Sequence, residues 1–422
     1  MSKKVLVVSN NSFSEYYNNG KTLESIFRGL EINDRAQIYF TQTGSPDLEF
    51  CKNYYCIRDK DIFNVFLKNK SKTEVLIKKK VESNPNSLKK ILIAQKSLLR
   101  LFRDLIWATN FWKTDTLKNW CINQSPDYIF FVGGPGKFSY NVSLYISNLL
   151  AIPLVTFFTD DYLIYPLKKN IFDYIQYWRI SHFYKKIVKN SSLCFTIGEM
   201  MSKEYSDYFN KDFYSIMNSI EIGDYCENKN NSTQLIVSYF GSIHTDRWKM
   251  IIRLAEFFNM NKFNNIKIKV YVASVPEEKI LNDFESSGVI YMGALFGEDL
   301  KNAMLNSDIL LHVECNNIYS KSITKLSVST KMPEYLALGK PILGFGPKDV
   351  ASMKVLSDNG IGVVISPDQE NYQNIQDINK LLSDQQYRVR LGKLGYDYAL
   401  EKFNNKKVTH DFYNKIDNLL NR

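Results

Sequence analysis

The chain has 422 residues, of which 45% are hydrophobic and 14% aromatic. This length exceeds what one core usually supports, so we expect two folded domains and exclude a largely disordered chain. No window reaches about 18 uninterrupted apolar residues, so no transmembrane helix is expected. The first apolar run, Val5–Val8, is too short for a signal peptide, which favours a cytoplasmic protein.

The net charge of +10 is concentrated in one region of the chain. Between Phe66 and Lys118 there are 13 Lys and Arg against 4 Asp and Glu, a net charge of +9. The rest of the chain is close to neutral, so a general affinity for nucleic acid is not predicted. The local excess instead indicates one anionic partner.

Within this region, Leu88–Trp112 has apolar residues at helical spacing, and basic residues occupy mostly the other faces. The basic residues are Lys89, Lys90, Lys96, Arg100 and Arg103, and the aromatic residues that follow are Trp107, Phe111 and Trp112. A basic amphipathic helix with terminal aromatics is typical of an anionic membrane surface. The alternative is a helix packed on its own domain with solvated lysines.

Continuous apolar runs alternate with helical patterns along the first half of the chain. Such runs predict strands of a parallel sheet that helices cover on both faces. The predicted strands are Val5–Ser9, Ala36–Phe40, Tyr128–Val132, Leu154–Phe158 and Leu193–Ile197, with a further short one at Phe213–Met217. The predicted helices are Lys21–Leu30, Tyr140–Leu150 and a long amphipathic segment at Ile171–Lys189.

A polar, turn-forming stretch at Asn228–Thr233 interrupts this rhythm and predicts a linker. A second α/β series follows, and the last stretch, Asp377–Leu420, has a helical pattern. Its predicted strands are Leu235–Phe240, Ile266–Val272, Val289–Met292, Ile309–Val313, Ile342–Phe345 and Gly362–Ile365. The predicted domains are 1–225 with a basic insert at about 60–120, a linker at 226–233, a second domain at 234–405, and a helix at 406–422 that crosses back to the first domain.

The segment Ser329–Leu343 predicts a short helix that leads into a buried strand. Ser329 or Thr330 is expected to cap the helix, Pro333 suits its first turn, and Gly339 suits its end. Lys331 and Glu334 are three residues apart, so they share one face near the helix N-terminus. That terminus carries partial positive charge, which suits a diphosphate, and a glutamate there can accept hydrogen bonds from a ribose diol. The alternative is a solvated Lys–Glu pair.

This segment resembles the nucleotide-sugar motif S-x-K-x-x-E-Y-x-A-x-G-K-P of family 4 glycosyltransferases. The resemblance implies the GT-B fold, an α/β class with two Rossmann-like domains whose parallel sheets face each other across a cleft. It further implies a UDP- or GDP-linked sugar donor, retention of configuration, and no metal or other cofactor. By the same resemblance Ser329, Thr330 and Glu334 bind the donor, and Lys331 stabilises the departing diphosphate. The sequence departs from the family pattern at Leu326, where a first glutamate is common.

The loop after the strand Leu235–Phe240 contains Gly241, Ser242 and Arg247. A strand that ends in Gly-Ser leaves backbone N–H groups free to approach a phosphate, and a nearby Arg can bind the same anion. The family's earlier Arg is replaced here by Ser242 or Ile243, so Arg247 is the one diphosphate cation expected from this loop. Glu314 and Gly346 follow later strands and are expected to border the same donor pocket.

In the first domain, Gly20 and Lys21 follow the first strand without Walker A spacing. By the GT-B resemblance they line the cleft beside the acceptor. Asp160 and Asp161 follow the strand Leu154–Phe158, where a carboxylate can act as a base or orient sugar hydroxyls. We expect a catalytic role for Asp160 and an acceptor contact for Asp161. Capping of the next segment is the alternative.

Metal-binding spacing is absent from the cysteines and histidines, and no Asp-x-Asp motif lies in a donor loop, so no metal site is predicted. The sequence thus predicts a glycosyltransferase that moves a sugar to a glycan or lipid-linked acceptor in bacterial surface polysaccharide synthesis. Its expected location is the cytoplasmic face of the plasma membrane. Two alternatives stay open: a nucleotide-sugar 2-epimerase of the same fold, and a non-enzymatic basic adaptor.

Overall fold

The computed structural model describes residues 3–14, 18–40, 45–66, 103–168, 171–225, 234–244, 246–367 and 372–421. The chain divides into two compact units. Unit 1 comprises Met1–Ile216 with Thr409–Arg422, and unit 2 comprises Met217–Val408. The predicted linker at 226–233 and most of the predicted basic helix, residues 88–102, lie outside the described residues.

Unit 1 contains a seven-stranded parallel sheet in the order β3-β2-β1-β4-β5-β6-β7. The strands are β1 Val5–Ser9, β2 Arg35–Tyr39, β3 Asn53–Cys56, β4 Tyr128–Gly133, β5 Leu154–Phe158, β6 Leu193–Thr196 and β7 Tyr214–Ser215. Its helices are Asn18–Phe27, Asp59–Phe66, 103–108, Asp115–Gln124, Lys137–Leu150, Ile171–Asn190 and Glu199–Phe209. The strand order reverses between β1 and β4, the kind of point at which open α/β sheets bind ligands.

The last helix of the chain, Asn405–Leu420, completes the core of unit 1. The ring of Phe412 lies 5.8 Å from that of Phe27, 5.8 Å from that of Phe130 and 5.4 Å from that of Phe195, measured between centroids. Phe412 is buried, so the chain terminus contributes to the same apolar layer as the strands that begin the sequence.

Unit 2 contains a six-stranded parallel sheet in the order β10-β9-β8-β11-β12-β13. The strands are β8 Leu235–Phe240, β9 Ile266–Tyr271, β10 Val289–Gly293, β11 Ile309–Val313, β12 Ile342–Phe345 and β13 Val363–Ile365. Its helices are Arg247–Met260, Glu278–Ser287, Gly297–Leu305, Ile318–Thr324, Met332–Ala337, Ala351–Asp358, Tyr372–Ser383 and Gln385–Lys402. Here the strand order reverses between β8 and β11.

The predicted α/β class and the predicted parallel strands are confirmed, most of them within one residue at each end. Strand β3 was not predicted. It is an edge strand of four residues without a long apolar run, so the sequence signal on which the other strands depend is missing. The predicted C-terminal helical stretch is three helices. The first two are separate because Asp384 caps a new helix, accepting a hydrogen bond from the backbone N–H of Tyr387 at 2.9 Å.

The aromatic end of the predicted membrane helix belongs to the core of unit 1. Trp107 is buried and stacks on Phe138 with ring centroids 4.2 Å apart. Trp112 is buried too, with its indole N–H donating to the carbonyl of Trp107 at 3.1 Å. For these two side chains the structure favours the alternative of a helix packed on its own domain, and residues 88–102 lie outside the described part.

The helix of the Ser329–Leu343 segment is Met332–Ala337, with Pro333 in its first turn as predicted. The prediction that Ser329 or Thr330 caps it is wrong. A turn precedes the helix, with the N–H of Met332 donating to the carbonyl of Ser329 at 3.0 Å, and this places Lys331 at the cap position. Gly339 follows the end of the helix at φ +64°, in the left-handed region, as predicted.

The helix Met332–Ala337 is held in place by the helix Gln385–Lys402, which packs closely on it at Gly392. A Cβ atom added to Gly392 would lie 2.0 Å from the carbonyl oxygen of Gly339 and 2.8 Å from its carbonyl carbon. Backbone therefore meets backbone at this contact, and only glycine leaves room for it.

We expect Gly392→Ala to destabilise the protein by about 1–3 kcal/mol, because the added methyl group forces the two backbones apart. Urea denaturation followed by circular dichroism measures the loss. Gly223→Ala is the control, since an added Cβ at Gly223 meets nothing within 4 Å. Equal midpoints for the two variants would contradict the assigned contact.

Candidate functional site

A buried ion pair lies where the strand order of unit 2 reverses. Arg247 begins the helix after β8, and Glu314 directly follows β11. Nη2 of Arg247 donates to Oε2 of Glu314 at 3.1 Å. Because β8 and β11 are neighbours that lead to connections on opposite sides, their carboxyl ends border the crevice in which such sheets bind ligands.

Glu314 is charged although only 2% of it is exposed. Burial by itself raises the pKa of Glu314, but the contact with His312 and the charge of Arg247 outweigh it, so the pKa lies below its ordinary value. Nε2 of His312, also buried, lies 3.2 Å from Oε1 of Glu314. The carboxylate of Glu314 thus holds Arg247, and its expected place at the border of the donor pocket stays a prediction.

Arg247 keeps part of its guanidinium available for another anion. Burial by itself lowers the pKa of Arg247, but the carboxylate of Glu314 offsets this and raises it above the usual value. The Nε atom is buried and has no hydrogen-bond partner among the described residues. About a quarter of the side chain, 23%, is exposed, so the ion pair orients a cation that still reaches the surface of the crevice.

Gly241, Ser242 and Gly346 lie around this pair. The hydroxyl of Tyr239 donates to the carbonyl of Ser242 at 2.6 Å and so fixes the loop that leads to Arg247. Burial raises the pKa of Tyr239 to about 12, against the lowering influence of Arg247, so the phenol stays protonated and can donate. A Cβ atom added to Gly346 would lie 2.6 Å from the carbonyl oxygen of Glu314, so this glycine lies directly against the backbone of Glu314.

The pair of Lys331 and Glu334 is connected to the same loop through Tyr335. Nζ of Lys331 donates to Oε2 of Glu334 at 2.8 Å, and both side chains are partly exposed. The hydroxyl of Tyr335 donates to the carbonyl of Phe240 and accepts from its N–H, both at 3.1 Å. Tyr335 therefore ties the helix of Lys331 and Glu334 to the last residue of β8, directly before Gly241.

Ser329 and Thr330 lie at the edge of this cluster. The backbone N–H of Ser329 donates to the hydroxyl of Ser352 at 3.0 Å, and Thr330 is exposed. The sequence analysis assigned no role to Tyr239, Tyr335 or Gly392, which fix the loop and the helix of the site. The tyrosine after Glu334 in the motif was the one available signal, and its partner on β8 is 95 residues away.

In unit 1 the two predicted carboxylates differ sharply. Asp161 is buried and accepts backbone hydrogen bonds from Leu163, Ile164 and Tyr165, and a fourth from the hydroxyl of Tyr205 at 2.9 Å. This geometry favours the capping alternative for Asp161. Asp160, beside it, accepts one hydrogen bond, from the hydroxyl of Thr159 at 3.2 Å.

Burial raises the pKa of Asp160, which the Thr159 hydroxyl partly offsets. Such a carboxylate suits proton transfer better than one that already accepts several hydrogen bonds, as Asp161 does.

Gly20 is buried in the helix that follows β1, with Lys21 exposed beside it. An added Cβ on Gly20 would lie 2.5 Å from the carbonyl oxygen of Ser12. The four residues predicted in unit 1, Gly20, Lys21, Asp160 and Asp161, thus all follow strands of the seven-stranded sheet at its carboxyl edge.

Over the described ranges, no group of three or more His, Cys, Asp or Glu side chains is placed to hold a metal ion. Likewise, no helix among the described residues is both long and apolar enough to span a bilayer.

Solved structures match the chain over its whole length. A crystal structure of TarM gives a TM-score of 0.62 at 11% identity, covering 100% of this chain and 99% of that one. A mutant of S. aureus TarM, in complex with fondaparinux, alpha-GlcNAc-glycerol and UDP, gives 0.61 at 13% identity with both chains fully covered. The trehalose-6-phosphate synthase OtsA gives 0.58 at 10% identity and 99% coverage of both chains. These proteins are GT-B glycosyltransferases.

The chain has the GT-B fold. No family model matches the sequence, and no curated protein matches it significantly. At these identities the likeness shows the fold alone, and the function has to be argued from the residues of the site.

We expect Glu314→Gln to lower the free energy of unfolding at pH 7 by about 3 kcal/mol, because Arg247 then loses its charged partner. This loss is at the lower end of the range for breaking a buried ion pair, because part of Arg247 is exposed. Glu256→Gln, on the exposed face of the helix Arg247–Met260, should stay within about 0.5 kcal/mol of wild type.

This difference should depend on pH. Because the folded-state pKa of Glu314 is lowered, its contribution is present above the unfolded value of about 4.3 and is lost as the pH falls through the folded pKa. In urea denaturation between pH 7 and pH 3, the free energies of unfolding of wild type and Glu314→Gln should therefore converge at acid pH. A constant difference down to pH 3 would contradict the assigned ionisation.

Proposed function

We propose that this protein is a glycosyltransferase that transfers a sugar from a nucleoside diphosphate sugar to a glycan or lipid-linked acceptor. The observation that carries the proposal is the position of the Arg247 side chain. Its guanidinium is oriented by the buried Glu314 at the switch point of a parallel sheet, with a buried Nε–H that no described residue accepts. A diphosphate is the ligand class that a crevice of this kind suits.

Three side chains of this cluster contact different parts of the donor. Arg247 binds the diphosphate and neutralises the charge that builds on it as the glycosidic bond breaks. Lys331 uses one of its three N–H donors on Glu334 and has two left for the same diphosphate. Glu334 accepts hydrogen bonds from the ribose diol, and its contact with Lys331 fixes the orientation of both side chains. With two cations at the leaving group, this scheme requires no metal ion.

The donor and acceptor classes are proposed from the structural neighbours and the motif. Mutant S. aureus TarM was crystallised with UDP, and a trehalose-phosphate synthase of the same fold is described as UDP-forming, which supports a UDP-linked donor. The alpha-GlcNAc-glycerol in that TarM complex supports a glycan acceptor. The resemblance of Ser329–Leu343 to family 4 supports retention of configuration and a role in surface polysaccharide synthesis at the cytoplasmic face of the plasma membrane.

Asp160 is proposed to orient the acceptor hydroxyl or to take its proton. Burial raises its pKa above that of an ordinary aspartate, which makes its carboxylate a stronger base. Asp161 next to it fixes the loop through its four hydrogen bonds and so holds Asp160 in position.

The test is incubation of the purified full chain with UDP- and GDP-sugars, with release of nucleoside diphosphate and formation of sugar epimers measured separately. Release that increases with a glycan acceptor supports transfer. Epimer formation without release would identify a nucleotide-sugar epimerase instead. Neither product with any donor, together with no binding of UDP or GDP by calorimetry, would overturn the proposal.

We expect Glu334→Ala to weaken binding of the nucleotide-sugar about ten- to a hundredfold, since a hydrogen bond to a charged group contributes about 1.5–3 kcal/mol. Isothermal titration calorimetry measures the change. Glu256→Ala serves as the control because Glu256 is exposed on another helix of unit 2. Unchanged affinity of the Glu334 variant would remove this residue from the site.

Arg247→Ala and Lys331→Ala should each lower kcat more than they raise the dissociation constant of the donor. The reason is that charge on the diphosphate is greatest in the transition state, where these cations act most strongly. Steady-state kinetics beside calorimetry separates the two effects, with Lys279→Ala, an exposed lysine of unit 2, as control. A variant with full turnover and only weaker binding would show that its residue is a binding contact.

A further inference from the structure

The helix Ile171–Asn190 of unit 1 presents one continuous exposed stripe that the proposed transfer reaction does not use. Its apolar members are Ile171, Tyr174, Ile175 and Trp178, which are 67%, 55%, 41% and 72% exposed. The stripe continues through exposed His182 to Lys185, Lys186 and Lys189. At about 100° per residue, all eight positions fall within an arc of about 120°, and the 20-residue helix is about 30 Å long.

The opposite side of this helix is anchored in unit 1. Ile180, Tyr184, Ile187 and Val188 are buried, and the ring of Tyr184 stacks on Phe158 at 4.5 Å. Within the part of unit 1 that the structure describes, the helix thus packs on the core through one side and exposes the stripe on the other. Four adjacent exposed apolar positions on one helix face form a patch, which in a soluble protein indicates a binding surface rather than scattered exposure.

The charged side chains of this helix are almost all basic. Lys168 lies over the ring of Tyr177, 3.2 Å from its centroid, beside the apolar half. The one acidic residue of the helix, Asp173, is half-buried on the side away from the stripe. Asp104, the carboxylate nearest to Arg179, is itself largely buried between Arg179 at 3.6 Å and Lys137 at 3.1 Å. An anionic partner thus meets no exposed carboxylate on this helix.

We propose that this stripe is a docking surface for an anionic lipid bilayer. Trp and Tyr are the side chains preferred at the membrane–water interface, and a basic helix with an apolar face lies in that interface. Lysines are depleted at protein–protein interfaces, so the three lysines in line with the apolar half favour lipid phosphates over a protein partner. The apolar half enters the headgroup region while Lys185, Lys186 and Lys189 contact the phosphates.

This inference does not depend on the transfer reaction, because the stripe lies in unit 1 and the proposed donor site lies in unit 2. The test is co-sedimentation of the full chain with phosphatidylglycerol–phosphatidylcholine vesicles and with phosphatidylcholine vesicles alone, at low and high salt. We expect binding to the anionic vesicles only, and weaker binding at high salt, because exposed charges are screened within about 8 Å at physiological ionic strength.

Two variants separate the halves of the stripe, and each has a control in unit 2 that changes the same number of exposed residues. The basic variant is Lys185→Gln with Lys186→Gln and Lys189→Gln, and its control is Lys279→Gln with Lys301→Gln and Lys354→Gln, all exposed. Each lysine near an anionic surface contributes about fivefold, or about 1 kcal/mol, so the basic variant should bind about a hundredfold more weakly.

The apolar variant is Ile175→Ser with Trp178→Ser. Its control is Leu394→Ser with Met260→Ser, because Leu394 is 41% exposed like Ile175 and Met260, at 70%, is close to Trp178.

Loss of sedimentation in both stripe variants, with their circular dichroism spectra and both controls unchanged, supports the proposal. Wild-type protein that fails to sediment at low salt, or that binds neutral vesicles equally well, would overturn it. So would stripe variants that sediment like wild type. A wild-type dimer in sedimentation equilibrium that the apolar variant dissociates would instead make the stripe a contact between copies of the chain.

Discussion

The candidate site of this protein depends on a carboxylate that stays ionised in the interior of unit 2. Glu314 is 2% exposed, and a charge in such a place is stable only when it is paired. Its partner is Arg247, the first residue of the helix after the neighbouring strand, so the pair connects the two strands at which the sheet reverses its order. The same contact holds a cation at the crevice and joins β8 to β11 at their carboxyl ends.

Other contacts extend this arrangement to the helix of Lys331 and Glu334. Tyr335 bonds to both backbone groups of Phe240, and Gly392 lets a second helix approach the backbone of Gly339. A short helix has little stability of its own, so its position has to come from tertiary contacts. These contacts are neutral or backbone-based, so the position of the helix does not depend on the charged side chains of the site.

Unit 1 shows how similar residues acquire different roles from their surroundings. Asp160 and Asp161 are adjacent, yet Asp161 accepts four hydrogen bonds and Asp160 accepts one. Trp107 is buried against Phe138, whereas Trp178 is exposed at the head of a line of lysines. A carboxylate with few hydrogen bonds is available for chemistry, and an exposed tryptophan is available for a partner. Neither distinction is visible in local sequence.

The sequence by itself determined the α/β class, the positions of nearly all strands, and the residues of the Ser329–Leu343 segment. These depend on local patterns: continuous apolar runs for strands buried on both faces, and proline and glycine at the ends of a helix. Residues 241–247 and Glu314 were recognised as candidates for the same reason, since they follow apolar runs. The sequence pattern also marked Ile171–Lys189 as amphipathic, without showing that its exposed stripe is itself partly apolar.

Only the tertiary structure decided which candidates act on each other. The pairing of Arg247 with Glu314 joins residues 67 positions apart, and that of Tyr335 with Phe240 joins residues 95 positions apart. Such pairings follow from strand order, which depends on how helices cross the sheet and not on any local pattern. The same holds for the burial of Trp107 and Trp112, since helical spacing specifies a face but not whether protein or solvent meets it.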